Sequence, residues 1–483
     1  MANARASVDG VTTSQQAVVK SAALIRVDTA ADNLTSGDGA CTLREAITNA
    51  NANSDSTGGD CAAGSNSGAD TIEFQIDGGG SYQVIALGTQ GLPDISDAVV
   101  IDGFSQGCSS GPCIELDLRN LTTATSGLKI IGSSSIIQGL VINRYSECCE
   151  DISGIVISGA SATSNQILGN HILGNTESGV VISGGASGNT IGSTAEGQGN
   201  LISGNAPNGI TIRDAATVNN TIQGNLIGTD IDGGTAVPNE EDGINILDAS
   251  RMVIGPGNLI SGNVEAGVQI AGSSSVENEI AGNKIGTNLD GTARIPNQDG
   301  VYLLSGTSQN TVGGKSEVKR NVISGNNENG VNISGSSDNE IFRNFVGTQA
   351  NGGTPLGNLK SGVSVVGLRN LIGSTEGGTG NIISGNGQHG VRISATTSTG
   401  NLIAGNHIGA DAFGTSAAPN DGNGVLIEVG VSGNTVGGSR NIISANGGHG
   451  VAILGNDNVV QGNIIGADIS HAGNLGNGGN GVL

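Results

Sequence analysis

The sequence predicts an all-β chain folded as a right-handed parallel β-helix, a single-stranded solenoid of three-strand coils with one N-terminal capping helix. Three observations lead there. The hexapeptide Asn200-Leu-Ile-Ser-Gly-Asn205 returns in kindred form at Asn258 to Asn263, Asn321 to Asn326, Asn381 to Asn386 and Asn441 to Asn446, at intervals of 58, 63, 60 and 60 residues. Recurrence that regular means one supersecondary unit laid down repeatedly. Each interval also holds a second echo: Asn220-Thr-Ile-Gln-Gly-Asn225 repeats the hexapeptide, and Gly243-Ile-Asn-Ile246 answers Gly209-Ile-Thr-Ile212, so a coil is about half an interval. Within a coil the aliphatic residues alternate in short runs, at Asn-x-Ile, x-Ile-x-Gly and Gly-Val/Ile-x-Ile. Such runs have the period of a strand and are too short for a helix.

Three strands per coil, each stacked on its counterpart one coil away, point Ile, Val and Leu into a narrow interior. Asn suits the corners because its short amide tolerates the left-handed conformation and can bond to the same residue in the next coil. Gly serves where even Asn would clash, which accounts for 85 glycines without invoking a flexible linker. A solenoid also escapes the size limit of a single core, since each coil buries its face on its neighbours.

The expected division is a tail at residues 1–22, an N-terminal cap at 23–98 and the β-helix repeats at 99–483. In the cap, Leu24 to Val27 reads as a strand. Thr42 followed by Glu45 is a capping box, and Leu43, Ala46, Ile47 and Ala50 fall on one helical face. A helix of that kind can cover the open end of a parallel coil stack.

The stretch Cys41-Thr-Leu-Arg-Glu-Ala-Ile47 with Asn49-Ala-Asn51 resembles the CSLREA motif at the head of bacterial secreted and surface β-helix proteins. As in those relatives, a second cysteine (Cys61), a Gly-Ala-Asp-Thr-Ile strand (Gly68 to Ile72) and a Leu-Pro-x-Ile turn (Leu92 to Ile95) follow. Thr42 stands for the usual Ser, and a cap accepts either. The later coils are similar to the repeats of the same group. The resemblance implies a fold and an extracellular or cell-surface location, and it implies no activity.

Composition narrows the partners. With 42 Asp and Glu against 19 Lys and Arg, the formal net charge is −23, which repels nucleic acid and anionic membranes. Aromatics at 2%, with no Trp, withhold the stacking platforms that sugar and base recognition use. All six cysteines fall in the first third. An even count confined to that third suggests disulfides and an oxidising compartment. Cys41 with Cys61 and Cys108 with Cys113 each close a Gly- and Ser-rich loop and are the expected pairs; Cys148 and Cys149 stay unassigned. No run of apolar residues approaches membrane-spanning length. If the protein is secreted, its leader lies outside this sequence.

Two loop series alternate along the repeats. One follows the second strand of every other coil, as in Gly228 to Gly233, Gly286 to Gly291 and Gly409 to Asp411; the other follows the first strand, as in Ser193 to Gly199, Lys315 to Arg320 and Ser374 to Gly380. Successive loops of one series are expected about 10 Å apart, making a repeated lateral surface, the default place for binding on a solenoid.

Candidate chemistry is sparse. Asp230, Asp232 and Glu241 superficially match a calcium loop, which makes calcium the one metal the pattern admits. Thr235 occupies the position where such a loop needs Gly, and Asx turns are the competing account. Gly448-His449-Gly450 resembles the Gly-His-Gly of polygalacturonase-type glycosidases, but the paired carboxylates that chemistry needs are absent, and Gln388-His389-Gly390 shows a variable corner. Arg213, Arg343, Lys360 and Arg392 read as scattered singly. No catalytic or cofactor-binding residue is assigned. The expected function is a non-catalytic extracellular or cell-surface β-helix with a structural, adhesive or assembly role, filament formation included. Its expected partners are other copies end to end or a surface polysaccharide. The competing expectation is a lyase, glycoside hydrolase or carbohydrate-binding module acting on polysaccharide with the same fold.

Overall fold

The structure is a computed structural model that describes residues 22–122, 126–144, 152–376 and 378–483. The expected tail, apart from residue 22, and the pair Cys148 and Cys149 lie outside the described residues. The chain is a right-handed parallel β-helix. Its strands form three parallel sheets of 15, 14 and 12 strands, and each strand bonds to its counterparts in the coils on either side. At about 4.8 Å per coil the first sheet spans roughly 70 Å. Like residues stack on like: Ile167, Ile191, Ile222, Ile254 and Ile280 form one column of paired positions, and all five are fully buried.

The sheets reach further toward the N-terminus than the repeat pattern does. Strands β1 (Leu24–Val27) and β2 (Asp70–Phe74) already head the first sheet, and β3 (Gln83–Ala86) heads the second. Their sequences lack the Asn-x-Ile signature, so their coils are recognisable by pairing rather than by motif. The one α-helix among the described residues, α1 (Leu43–Ala52), carries the capping box: the Thr42 hydroxyl accepts from the Glu45 amide, and the Thr42 amide donates to Glu45 Oε2 at 3.1 Å. Its apolar face, Leu43, Ala46, Ile47 and Ala50, joins the same core as Ile25 and Ile72. Cys41 is bonded to Cys61 and Cys108 to Cys113. Among the described residues no helix is long and apolar enough to cross a membrane.

Three buried asparagine columns hold the corners. The second column runs from Asn170 through Asn200, Asn225, Asn258 and onward to Asn463, at the turn into the second sheet. In it the Asn200 amide and side-chain Nδ2 both donate to Asn225 Oδ1, at 3.1 and 2.9 Å. Asn225 Nδ2 in turn donates to Asn258 Oδ1 at 3.0 Å and to the Ile191 carbonyl at 2.9 Å. Each amide thereby satisfies polar backbone groups that the turn would otherwise bury unpaired. A third column, including Asn205, Asn239, Asn263 and Asn297, repeats this at the exit from the second sheet.

The first column is interrupted once. Met252 occupies an asparagine place, and Asn220 Nδ2 meets its thioether sulfur at 3.9 Å, a weak acceptor. The site is fully buried, and the next residue in the column, Asn278, accepts from the Met252 amide at 2.9 Å as elsewhere. Met252→Asn is therefore expected to complete the column and raise stability by about 1 kcal/mol, read as a higher urea midpoint with an unchanged slope. A lower midpoint would mean that the lost apolar volume outweighs the restored bond.

Candidate functional site

The loops that follow the second sheet are small hairpins, bridged at Thr229 to Ala236, Thr287 to Arg294, Thr348 to Pro355, Ala410 to Ala417 and Ala467 to Asn474. Asp and Asn close them from within. Asp230 Oδ1 accepts from the Gly234 and Thr235 amides at 2.8 and 3.1 Å, and Asp411 Oδ1 accepts from Thr415 and Ser416 in the same way. Those amides hold the Asp230 carboxyl below the usual range. Successive hairpins bond directly to one another: the Leu289, Ala350, Ala412 and Ile469 amides each donate to the glycine carbonyl of the hairpin before, at 3.2, 3.0, 2.9 and 2.9 Å. The loop series is thus a fourth stacked column lying over the outer face of the second sheet.

The sequence-predicted cation ligands do not converge. Asp230 and Asp232 stand in the first hairpin, whereas Glu241 lies beyond the Asn239 corner, with its amide donating to the Pro207 carbonyl. Among the described residues no three His, Cys, Asp or Glu side chains gather to hold a metal ion. Neighbouring Asp242 is the more unusual acid. It occupies the corner before the third sheet, where a side chain in one coil accepts from an amide in the next. Asn208 serves Asp242, Asp242 serves Ala266, His389 Nδ1 serves Asn423 and His449 Nδ1 serves Asn480, at 2.9 to 3.0 Å. His449 is one of these corner acceptors.

Burial, with the Glu265 and Glu241 charges adding to it, pushes the Asp242 carboxyl up to about 7, against bonds from Asn245 and Ala266 that favour the ionised form. A folded-state value above the unfolded one stabilises the fold below the unfolded value of 3.8, and that contribution is lost as pH rises through about 7. Asp242→Asn removes the charge and keeps the acceptor for the Ala266 amide, while Asn245 and Gln269, which both donate to Oδ2 at 2.8 Å, must turn their amide oxygens toward the new NH2 group. It is expected to stabilise the chain by on the order of 1–2 kcal/mol above neutrality and to lose that advantage in acid, read as a pH-dependent difference in Tm. A difference that grows as pH falls would contradict the assignment.

Between the hairpins and the other loop series the second sheet is left open as a groove of about 430 Å³. Its floor is made by outward residues of four successive second-sheet strands, Phe345, Ile382, His407 and Ile442. Arg320, Arg343, Glu376 and Arg440 rise on one side, and Ala412, Phe413 and Ile469 of the hairpins on the other. The Arg320 guanidinium lies 4.3 Å from the centre of the Phe345 ring, a cation–π contact. Arg343 donates to the Gly378 carbonyl at 3.0 Å and to Glu317 at 3.3 Å. Phe413 is 74% exposed. Burial holds the His407 imidazole below its ordinary value, which favours the neutral ring, and its Nδ1 stands 3.0 Å from the Asp411 carbonyl oxygen.

Residues 153–346 match the family model described as the right handed beta helix region. No curated protein matches the chain. Among solved structures, the A-module of a mannuronan C-5 epimerase from Azotobacter vinelandii is similar to it with a TM-score of 0.50 at 15% identity, covering 89% of this chain and 98% of that module. The Dettilon tailspike protein aligns with 81% of this chain at 16% identity and a TM-score of 0.46, and the chain spans 62% of the tailspike's length. A periplasmic alginate epimerase aligns with 79% of this chain and 77% of its own at 13% identity and a TM-score of 0.43. At such identities the likeness is one of fold.

The groove's arginines lie scattered along the sequence, where Arg343 has no neighbour that marks it. They share one repeat position. The residue before each second-column asparagine is glycine in the coils from Gly169 to Gly462, except at Arg320, Arg343 and Arg440. That exchange of Gly for Arg is the signal that could have found them.

Proposed function

We propose that the chain is an extracellular, non-catalytic β-helix that holds a saccharide chain along the groove beside its hairpin column. The observation that carries this reading is the groove itself. It is a furrow of ligand size with an aromatic ring exposed on one wall and hydrogen-bonding arginines on the other. An exposed ring offers an apolar face to the C–H side of a sugar, and guanidinium groups offer several donors to its oxygens. The two disulfides and the resemblance of Cys41 to Ile47 to the CSLREA motif support an oxidising, extracellular or cell-surface setting. The acids beside the groove are engaged, Glu376 with Lys315 and Glu317 with two arginines, which supports holding a ligand rather than cleaving it.

A second reading rests on His407. A neutral imidazole on a groove floor beside guanidinium groups is an arrangement that proton abstraction from a uronate would use. Incubating the chain with a panel of oligosaccharides, with and without calcium, and following both binding and product formation separates the two. The expected outcome is binding without turnover and without dependence on calcium. Turnover that His407→Ala abolishes would replace this reading with the second, and the absence of all saccharide binding would end both.

A further inference from the structure

Resting on that reading, we infer that the groove's ligand is an acidic saccharide whose carboxylate or sulfate groups are taken by the arginine column Arg320, Arg343 and Arg440. The inference comes from charge that the protein leaves uncompensated. Elsewhere on the rod cations stand apart, most of them in one-to-one pairs, such as Arg369 with Asp338 at 2.6 Å, Arg392 with Glu428 at 2.7 Å, Lys319 with Glu279 at 2.6 Å and Lys360 with Glu328 at 2.5 Å, while Arg213, Lys284 and Arg294 stand singly with no ion pair among the described residues. In the groove they cluster instead. Arg320 and Arg343 share one carboxylate, Glu317, at 3.6 and 3.3 Å. The Nε–H of each is enclosed without a hydrogen-bond partner. Arg440, exposed on the same wall, has no ion pair or hydrogen bond among the described residues.

A chain of net charge −23 has carboxylates to spare, so clustered arginines with too few of them mark a place where the missing anion comes from outside. Geometry gives the anion its spacing. Arg320 and Arg343 lie in adjacent coils and Arg440 three coils beyond Arg343, at one corner position, which separates the two groups by roughly 14 Å along the rod. That distance suits successive acid groups on an extended polymer and exceeds the reach of one small anion. The planar fork of guanidinium fits carboxylate and sulfate oxygens alike. On the floor, His407 with Nδ1–H turned to the Asp411 carbonyl leaves Nε2 as an acceptor for a sugar hydroxyl. Arg343 holds a left-handed backbone, φ 61°, at a corner where most coils use glycine, as Arg251 and Arg369 do at corners outside the groove.

The test is calorimetric titration of the full chain with a hexauronate, a sulfated hexasaccharide and neutral cellohexaose. Arg440→Ala removes a side chain with no protein partner and leaves the fold intact, which thermal melting checks. Binding of the hexauronate or the sulfated probe, no binding of cellohexaose and an affinity loss of about tenfold or more in Arg440→Ala are expected, with part of the affinity kept in Arg440→Lys. The two acidic probes decide which oxyanion is preferred. Equal or tighter binding of cellohexaose, or acidic binding indifferent to Arg440→Ala, overturns the inference while leaving a saccharide-binding groove. No binding of any probe overturns both.

Discussion

Replacing Asn225 with alanine is expected to lower the unfolding free energy by about 3–5 kcal/mol. The side chain is fully buried and is the third residue of the second asparagine column, with Asn200 on one side and Asn258 on the other. Its removal deprives the Asn200 amide and Nδ2 of their acceptor and the Ile191 and Gln223 carbonyls of a donor. None of these groups has water to turn to, so the loss is the full desolvation of several polar atoms rather than the net worth of one bond. Asn225→Asp is expected to do no better, since its second oxygen would face the Ile191 carbonyl and Asn258 Oδ1 where an N–H now points. Because a solenoid couples each coil mainly to its neighbours, hydrogen exchange is expected to accelerate first in the flanking coils. Uniform acceleration along the rod would indicate cooperativity of longer range than the column provides.

Gly286→Ala is expected to cost about 3–5 kcal/mol. Gly286 ends a second-sheet strand with φ 85°, and a Cβ there would fall on Asn326 Oδ1 and the Ser324 carbonyl of the next coil. Those atoms belong to the column and to a strand end, and neither can withdraw without breaking the ladder. Gly347 and Gly409 repeat the arrangement against Asn386 and Asn446, so Gly347→Ala is expected to cost a similar amount. Urea denaturation measures both. By contrast Gly378 has a positive φ but open space around its missing Cβ, and alanine there is expected to cost no more than the backbone term of about 1 kcal/mol.

These two substitutions also explain why so much of the fold is legible in the sequence. The columns need Asn at one place and Gly a few residues on, in nearly every coil, with Met252 and Ala445 as exceptions, and a requirement repeated at regular spacing prints itself on the chain as Asn200, Asn225 and Asn258 with Gly228 and Gly286. The capping box of Thr42 and Glu45 and the disulfide loops at Cys41 and Cys108 are local in sequence and legible for that reason. The first coils are not, because Leu24 to Val27 and Asp70 to Phe74 join the first sheet across the intervening cap and helix, and their pairing depends on closure of the whole coil. Met252 is hidden in the same way, since an apolar residue in a polar column differs from an ordinary core methionine by register alone.

The groove is the harder case. Arg320 and Arg343 are 23 residues apart in the chain and Arg440 stands far beyond them, and their convergence depends on coil lengths that the intervening loops vary. Read as a column rather than as single residues, they take the place glycine holds in neighbouring coils, and the substitution of the largest cation for the smallest residue at one corner is visible in the sequence. What the sequence does not display is the deficit of carboxylates around them. That deficit depends on which acids the loops carry away, Glu376 toward Lys315 and Glu317 between two guanidinium groups.

The most direct test of the account is a crystal structure of the chain with a bound hexauronate. The account predicts an extended saccharide in the furrow between the hairpins and the arginine column, one acid group against Arg320 and Arg343, another against Arg440, and a sugar face on Phe413. A saccharide seated on another face of the rod, or across the end of the last coil with the arginines untouched, would contradict it.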